Sequence, residues 1–529
     1  MGTPGVVAFQ PNVNGTYSVR GVDFLSGAGA FVFSGTNSGK LIVGASGVVN
    51  NSASLQTFGS SITLGLGAAA SFQVNAAGGM TIDGAVTAGS HALTLRGNGA
   101  GIGQILGPIS GTGGLIKDGA STWILSGTNT YSGGTTVKAG LLRVTTAQAL
   151  GAAGLTILRG GTLEFAAAVP TDFSLQAIQV QTSSTIQSGA LFSGGSAMHS
   201  MGSMKIGDAT LTVAPGINSG GSASISTSSV TLEGNATLQV QAGASATFGS
   251  VSETGGSRNF TKTGAGALIF SGTSSLTGIL QLNAGSLSVL NTGTLGSSSL
   301  RLVVNGGSLS LANASQTIGS LSGTGGSINL SGHSLTIAQS GSTSFSGSFS
   351  GSGSMVFSGG GSVTLSGGGS VAGGLQISAA SSVRLGANNG IPNYSQITFN
   401  SGTFAGNGFS YTTAAGVQVL PGGGTFDFGT GAGSSLAFGD SSSLPWNGSL
   451  KLVNFTPGVD SLRFGNNAAG LTPTQLALIE FTGSGAVATI DANGYVTASA
   501  IPEPADFAMA FGGLALVVAL RRRWAKARA

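Results

Sequence analysis

The sequence contains no cysteine, which excludes a disulfide framework and a thiolate metal site alike. Charge is almost as scarce, since Asp, Glu, Lys and Arg together make up 6% of 529 residues. No Asp or Glu occurs from Thr254 to Phe426, and acids such as Asp83, Asp118, Glu164, Asp208 and Glu233 are widely scattered. General acid and base work on polysaccharides needs clustered carboxylates or a basic residue beside them, so a catalytic role is not expected. Helical periodicity is missing until the last stretches. Net charge is +4, but Arg521, Arg522, Arg523, Lys526 and Arg528 carry five of the 19 basic residues. The remaining 14 stand against 15 acids, so the body is nearly neutral and offers no basic face for nucleic acid.

The N-terminus, MGTPGVVAFQPNVNGTYSVRG, has neither a basic leader nor an apolar core before a small-residue cleavage site. Val6 stands where myristoylation requires Ser or Thr. The expectation is that this start is incomplete or miscalled. Gly35-Thr36-Asn37-Ser38-Gly39-Lys40-Leu41 falls one residue short of a phosphate-binding loop and has Leu41 where Ser or Thr would hold magnesium. With 95 glycines such near-misses arise by chance. The histidines are His91, His199 and His333. His91 and His333 share one turn position in a recurring lead-in, Gly89 to Leu95 and Ser331 to Ile337, so a structural turn role is favoured over a metal site. Catalytic, cofactor-binding and metal-ligating residues are therefore expected to be none, and no cofactor is expected.

What the chain has is glycine together with spaced apolar residues. Apolar residues make up 40%, too many for a disordered chain. Short runs such as Phe31-Val32-Phe33, Leu41-Ile42-Val43, Ile62-Thr63-Leu64 and Leu93-Thr94-Leu95 alternate with Gly and Asn turns. The clearest unit is Gly113 to Val144, GGLIKDGASTWILSGTNTYSGGTTVKAGLLRV. A shift of 145 positions lays Asn259 to Val289 on it without a gap. Lys117 falls on Lys262, Trp123 on Leu268, Leu125 on Phe270, Tyr131 on Leu276, and Ala139-Gly140 on Ala284-Gly285. A looser copy runs from Ser354 to Leu385 through Val363, Leu365, Val371 and Ile377. Turn residues keep their identity and apolar positions keep their class, as strands joined by tight turns require. Repeats of this length predict a stacked architecture in which Trp123 and Tyr131 fill the core.

This unit resembles the autotransporter-associated β-strand repeat of large bacterial surface proteins. The resemblance implies an exported all-β protein, a long right-handed parallel β-helix (β-solenoid), and no catalytic residue, because the motif is structural. The solenoid is expected over 1–443, with repeat units near 113–144, 259–289 and 354–385. The texture changes at Leu444, and 444–500 reads as a C-terminal cap. Within it, Thr472-Pro473 predicts a short helix and Asn493-Gly494 a hairpin.

The tail joins Pro502-Glu503-Pro504, the uncharged run Phe507 to Leu520, and Arg521-Arg522-Arg523. The run is about 21 Å long as a helix, short of an unaided bilayer span. In this order the three parts resemble the PEP-CTERM sorting signal of Gram-negative bacteria. That resemblance implies a single C-terminal hydrophobic, transmembrane helix at about 505–523 in a 501–529 signal. It further implies passage through the secretion machinery, transient inner-membrane retention and processing by an exosortase. The sorting motif is then Pro502, Glu503, Pro504, Arg521, Arg522 and Arg523. The function expected on this basis is an exported structural or adhesive surface protein of the extracellular matrix, with exopolysaccharide as a further partner. The alternatives are a carbohydrate-active β-helix enzyme acting on exopolysaccharide and an autotransporter-like passenger or adhesin. The last of these requires a C-terminal outer-membrane barrel.

Overall fold

Residues Ile62–Leu66, Ala70–Val74 and Met80–Ile82 form three short strands separated by turns, after which the chain comes back over its own start. The computed structural model describes residues 10–36, 39–152, 154–168, 171–193, 197–220, 222–431 and 433–499. The chain divides between Leu335 and Thr336 into two units. In the first, each coil lays three strands on the strands of the coil before. Leu64 pairs with Val86, Phe72 with Leu95, and Thr81 with Gln104, all in parallel. The outcome is a three-faced parallel β-solenoid. Coil length varies: Lys117 pairs with Val137, 20 residues on, and Val180 with Ile206, 26 residues on.

Period-two alternation supplies the core. Along one inward file Leu95, Lys117, Val137, Leu158, Val180, Ile206 and Leu232 succeed one another, each register partner of the next. All seven are fully buried. Each aliphatic member contributes ~1.5–3 kcal/mol by leaving water, and the parallel ladder satisfies the backbone. Glycine makes the corners: Gly97 and Gly119 have φ of +134° and +68°, a region closed to most residues with a Cβ.

The two strong repeat copies do not occupy the same faces. In the first copy the lysine strand Leu115–Lys117 lies on the second face, between Leu93–Arg96 and Thr135–Val137. In the second copy the lysine strand Phe260–Thr263 lies on the third face, between Ala236–Val240 and Ile279–Leu282. That third face runs back without a break through Thr122–Leu125, the strand after Lys117. A shift of 145 positions is thus not a whole number of coils, and the second copy is turned by one face. The repeat encodes a corner with its flanking strands, and two of the three corners hold a copy.

In the second unit, parallel ladders run from Met355–Ser358 to Gly416–Val419 and from Ser342–Phe345 to Ile479–Phe481. Its interior is aromatic, with Phe426 and Phe438 stacked at 4.9 Å and Phe438 and Phe464 at 5.7 Å. The Thr472-Pro473 signal yields the helical turn Pro473–Leu476, closed by a capping box between Thr472 and Gln475. The hairpin pairs Val487–Ile490 with Val496–Ser499 in antiparallel register. Its loop is longer than a two-residue Asn-Gly turn, because the Asp491 carboxylate accepts from the amides of Asn493 and Tyr495 and widens it.

One part of the expected fold class requires correction. Among the described residues no helix is long and apolar enough to cross a membrane, and the helix present is the four-residue turn Pro473–Leu476. The fold described is an all-β solenoid with no membrane helix. The stretch expected to supply one, about 505–523, lies outside the described residues.

Candidate functional site: stapled corners and an open polar cleft

Leu115-Ile116-Lys117 alternates, so Leu115 and Lys117 share the inward side and the lysine stem runs into the core. The buried ammonium donates to the carbonyls of Asp118 at 3.0 Å and Gly119 at 2.7 Å in its own corner. It also donates to Ala139 at 2.9 Å, in the same corner of the next coil. Lys262 repeats this one face away, donating to Thr263 at 2.7 Å, Gly264 at 2.8 Å and Ala284 at 3.2 Å. Each lysine therefore staples two successive corners. Burial pulls the Lys117 ammonium down to about 8, against the upward pull of the Asp118 carboxylate. Burial likewise lowers Lys262 to about 8. Sequence reasoning aligned these lysines without giving them a role. The signal was a lysine on the apolar phase of its strand.

Trp123 and Tyr131 are buried as expected. The indole donates to the Arg96 carbonyl at 3.2 Å, and the Tyr131 hydroxyl meets Thr135 Oγ1 at 2.6 Å. Burial raises the Tyr131 phenol well above its ordinary value. Three coils of the third face are also tied by charge. Arg143 meets the buried Glu164 at 2.7 Å, and the other oxygen of Glu164 accepts from the Ile217 amide at 2.6 Å. His91 and His333 occupy equivalent turns, their amides bonded to the carbonyls of Ala88 and Leu330. His199 is buried beside Phe165 and Phe173, and burial lowers its pKa.

Two clefts on the first unit stand out. Phe24, Leu25, Phe31 and Phe33 line an apolar one of about 660 Å³ beside the first described coil. Gln73, Asn75, Arg96, Asn98 and Asp118 line a polar one of about 230 Å³, with Gly97 and Gly119 beneath, directly over the Lys117 corner. Arg96 and Asp118 share that cleft without an ion pair: among the described residues the ion pairs are Arg143–Glu164 and Lys205–Glu233. Gly39-Lys40-Leu41 opens the strand Gly39–Asn50 rather than a helix, so the phosphate-loop near-miss has no helix N-terminus behind it. Among the described residues no three His, Asp or Glu side chains come together to hold a metal ion.

Residues 115–144 and 260–289 match the passenger-associated-transport-repeat family. Over 97 residues the chain is 44% identical to a protein of Brucella suis biovar 1 (strain 1330) named adhesin BmaC autotransporter. That match covers 18% of this chain and 3% of the relative. No solved structure matches. The similarity runs to a repeat and to a protein named as an adhesin.

These findings overturn the sorting-signal reading. The recognised repeats match a passenger-associated-transport-repeat and the similar protein is named an autotransporter adhesin, so neither an exosortase nor an inner-membrane stage has support. No helix among the described residues supplies a membrane anchor. Pro502, Glu503, Pro504, Arg521, Arg522 and Arg523 lie outside the described residues.

Proposed function

We propose that this chain is an exported, autotransporter-like passenger segment whose solenoid presents an adhesive surface outside the cell. The observation that carries the reading is the coincidence of two things at residues 115–144 and 260–289. The sequence there matches a passenger-associated repeat, and the same residues form stapled corners of a parallel solenoid. The match to a named adhesin over 97 residues supports the adhesive part.

The physics of the scaffold fits that task. Each coil contacts chiefly its neighbours, so the chain gains structure coil by coil as it emerges, with no disulfide to form. The outward positions carry Ser, Thr, Asn and Gln, which leave long polar faces for contact. Segment 444–500 is proposed as the terminal cap. Its hairpin reaches the strand Ser461–Phe464 through the Phe464 amide and the Gly494 carbonyl at 2.9 Å, and Arg463 lies over the Tyr495 ring at 6.0 Å. Covering a terminal edge in this way protects it from pairing with other chains.

Microspheres coated with the purified full-length chain test the adhesive reading. Retention on epithelial monolayers or matrix-coated plates well above albumin-coated spheres is expected. Equal retention on every surface overturns it.

A further inference from the structure

We infer that the polar cleft over the Lys117 corner is a saccharide-binding site that holds two adjoining sugar rings of a glycan. The inference rests on the adhesive reading and deepens it by naming a ligand class.

The geometry comes from strand register. Gln73 pairs with Arg96, and Leu95 pairs with Lys117, so Asp118 follows Arg96 in the next coil. The amide of Asp118 donates to the Leu95 carbonyl at 2.9 Å, which fixes that placement. Gln73, Arg96 and Asp118 therefore stand side by side on three consecutive coils. With strands about 4.8 Å apart, the file spans roughly 10 Å, the reach of two linked pyranose rings. Asn75 and Asn98 line the same cleft. Gly97 and Gly119 line the cleft and raise no side chain between these groups.

The chemistry comes from what the fold leaves unused. In a chain with 6% charged residues, a guanidinium and a carboxylate line one cleft without pairing. No side-chain hydrogen bond ties either of them to the scaffold, whereas the Arg96 backbone carbonyl holds the Trp123 indole and the Asp118 carbonyl holds the Lys117 ammonium. The backbone of both residues is thus fixed by buried contacts while their charged ends stay open. A planar donor fork, a planar two-oxygen acceptor and three amides suit a ligand that is donor and acceptor at every position. Vicinal hydroxyls are that ligand. A phosphate or sulfate would be repelled by Asp118, and an apolar peptide would strand the guanidinium and the carboxylate, whereas the amides keep partners in the scaffold, Gln73 on Ser71, Asn75 on Asn51 and Asn98 on the Ala120 amide. The second repeat copy has Thr263 at the place of Asp118, so the carboxylate belongs to this corner and not to the repeat as such.

The test applies the full-length chain to a printed panel of mammalian and bacterial oligosaccharides, followed by titration of the retained sugar in solution. Three variants accompany it: Arg96→Ala, Asp118→Asn and, as a control on another coil, Arg301→Ala. Selective retention of one glycan family is expected, with affinity lost roughly tenfold to a hundredfold in the first two variants and unchanged in the third. Asp118→Asn also touches the field at Lys117. Arg96→Ala does not, and unaltered thermal unfolding of that variant ties its loss to the cleft. Retention of no glycan, or binding indifferent to both cleft variants, overturns the inference. Should coated microspheres still adhere, the saccharide assignment fails alone and the adhesive reading survives.

Discussion

The indole of Trp123 lies flat against Gly103 of the preceding coil, its register partner on the third face, where an added Cβ would stand 2.5 Å from the indole ring. In the second copy the equivalent Leu268 has Ala246 as partner. A large side chain faces none, and a smaller one faces a methyl group. Gly103→Ala is therefore expected to destabilise the surrounding coils by about 1–3 kcal/mol through overpacking. Adding Trp123→Leu recreates the Ala–Leu pair of the second copy and should recover part of the loss. Hydrogen exchange of strands Ile102–Ile105 and Thr122–Leu125 in the single and double variants measures both effects. Equal destabilisation in the two would remove the compensation argument.

Lys117→Met keeps the aliphatic stem and removes the three donated hydrogen bonds. The carbonyls of Asp118, Gly119 and Ala139 lose a shared partner, and a local cost of about 1–3 kcal/mol is expected. Faster exchange should be confined to the coils on either side of that corner, since repeat stability is set by nearest neighbours. Even loosening of the whole chain would contradict the staple.

The lysines also set a pH dependence. Both ammonium groups are lowered to about 8 from an ordinary 10.5. Between these values the unfolded chain binds more protons than the folded one, so stability rises as pH climbs from about 8 towards 10.5 and is level below 8. Denaturant midpoints across that range, for the natural chain and for Lys117→Met with Lys262→Met, test the sign. A profile that is flat or falling would mean that the three carbonyls outweigh desolvation.

Much of this architecture is written in short-range pattern, and the remainder is not. Ile62-Thr63-Leu64 and Leu93-Thr94-Leu95 declare strands because alternation is local. The copies at Lys117 and Lys262 declare stacking because turn residues recur. Their rotation by one face is hidden, since it depends on the summed length of every coil between them. Gly103 could not be singled out among 95 glycines, because only register sets it under Trp123. Asp118 reads as one scattered acid until the coils place it beside Arg96, 22 positions back along the chain. The tail misled for the opposite reason: its tripartite order is vivid, whereas the similarities found run to a passenger-associated repeat and to a protein named as an adhesin.

Glu164 offers a test of coupling across coils. Glu164→Ala leaves Arg143 without its partner and the Ile217 amide without an acceptor. Removing one member of a buried pair costs about 3–5 kcal/mol, so exchange at Ile217 should quicken although it lies 53 positions away in sequence. Glu164→Gln retains an acceptor for the amide and should fall between the two. Unchanged protection at Ile217 in the alanine variant would show that the bond carries little.

The most direct measurement of the central claim is adherence by cells that display the chain. The full-length sequence would be joined to an autotransporter outer-membrane barrel in a non-adherent bacterium, with the barrel alone as control. The account predicts that surface protease reaches the chain and that displaying cells stay on epithelial monolayers or matrix-coated plates in several-fold excess over controls. Display at normal levels with adherence no greater than that of the barrel alone would contradict it.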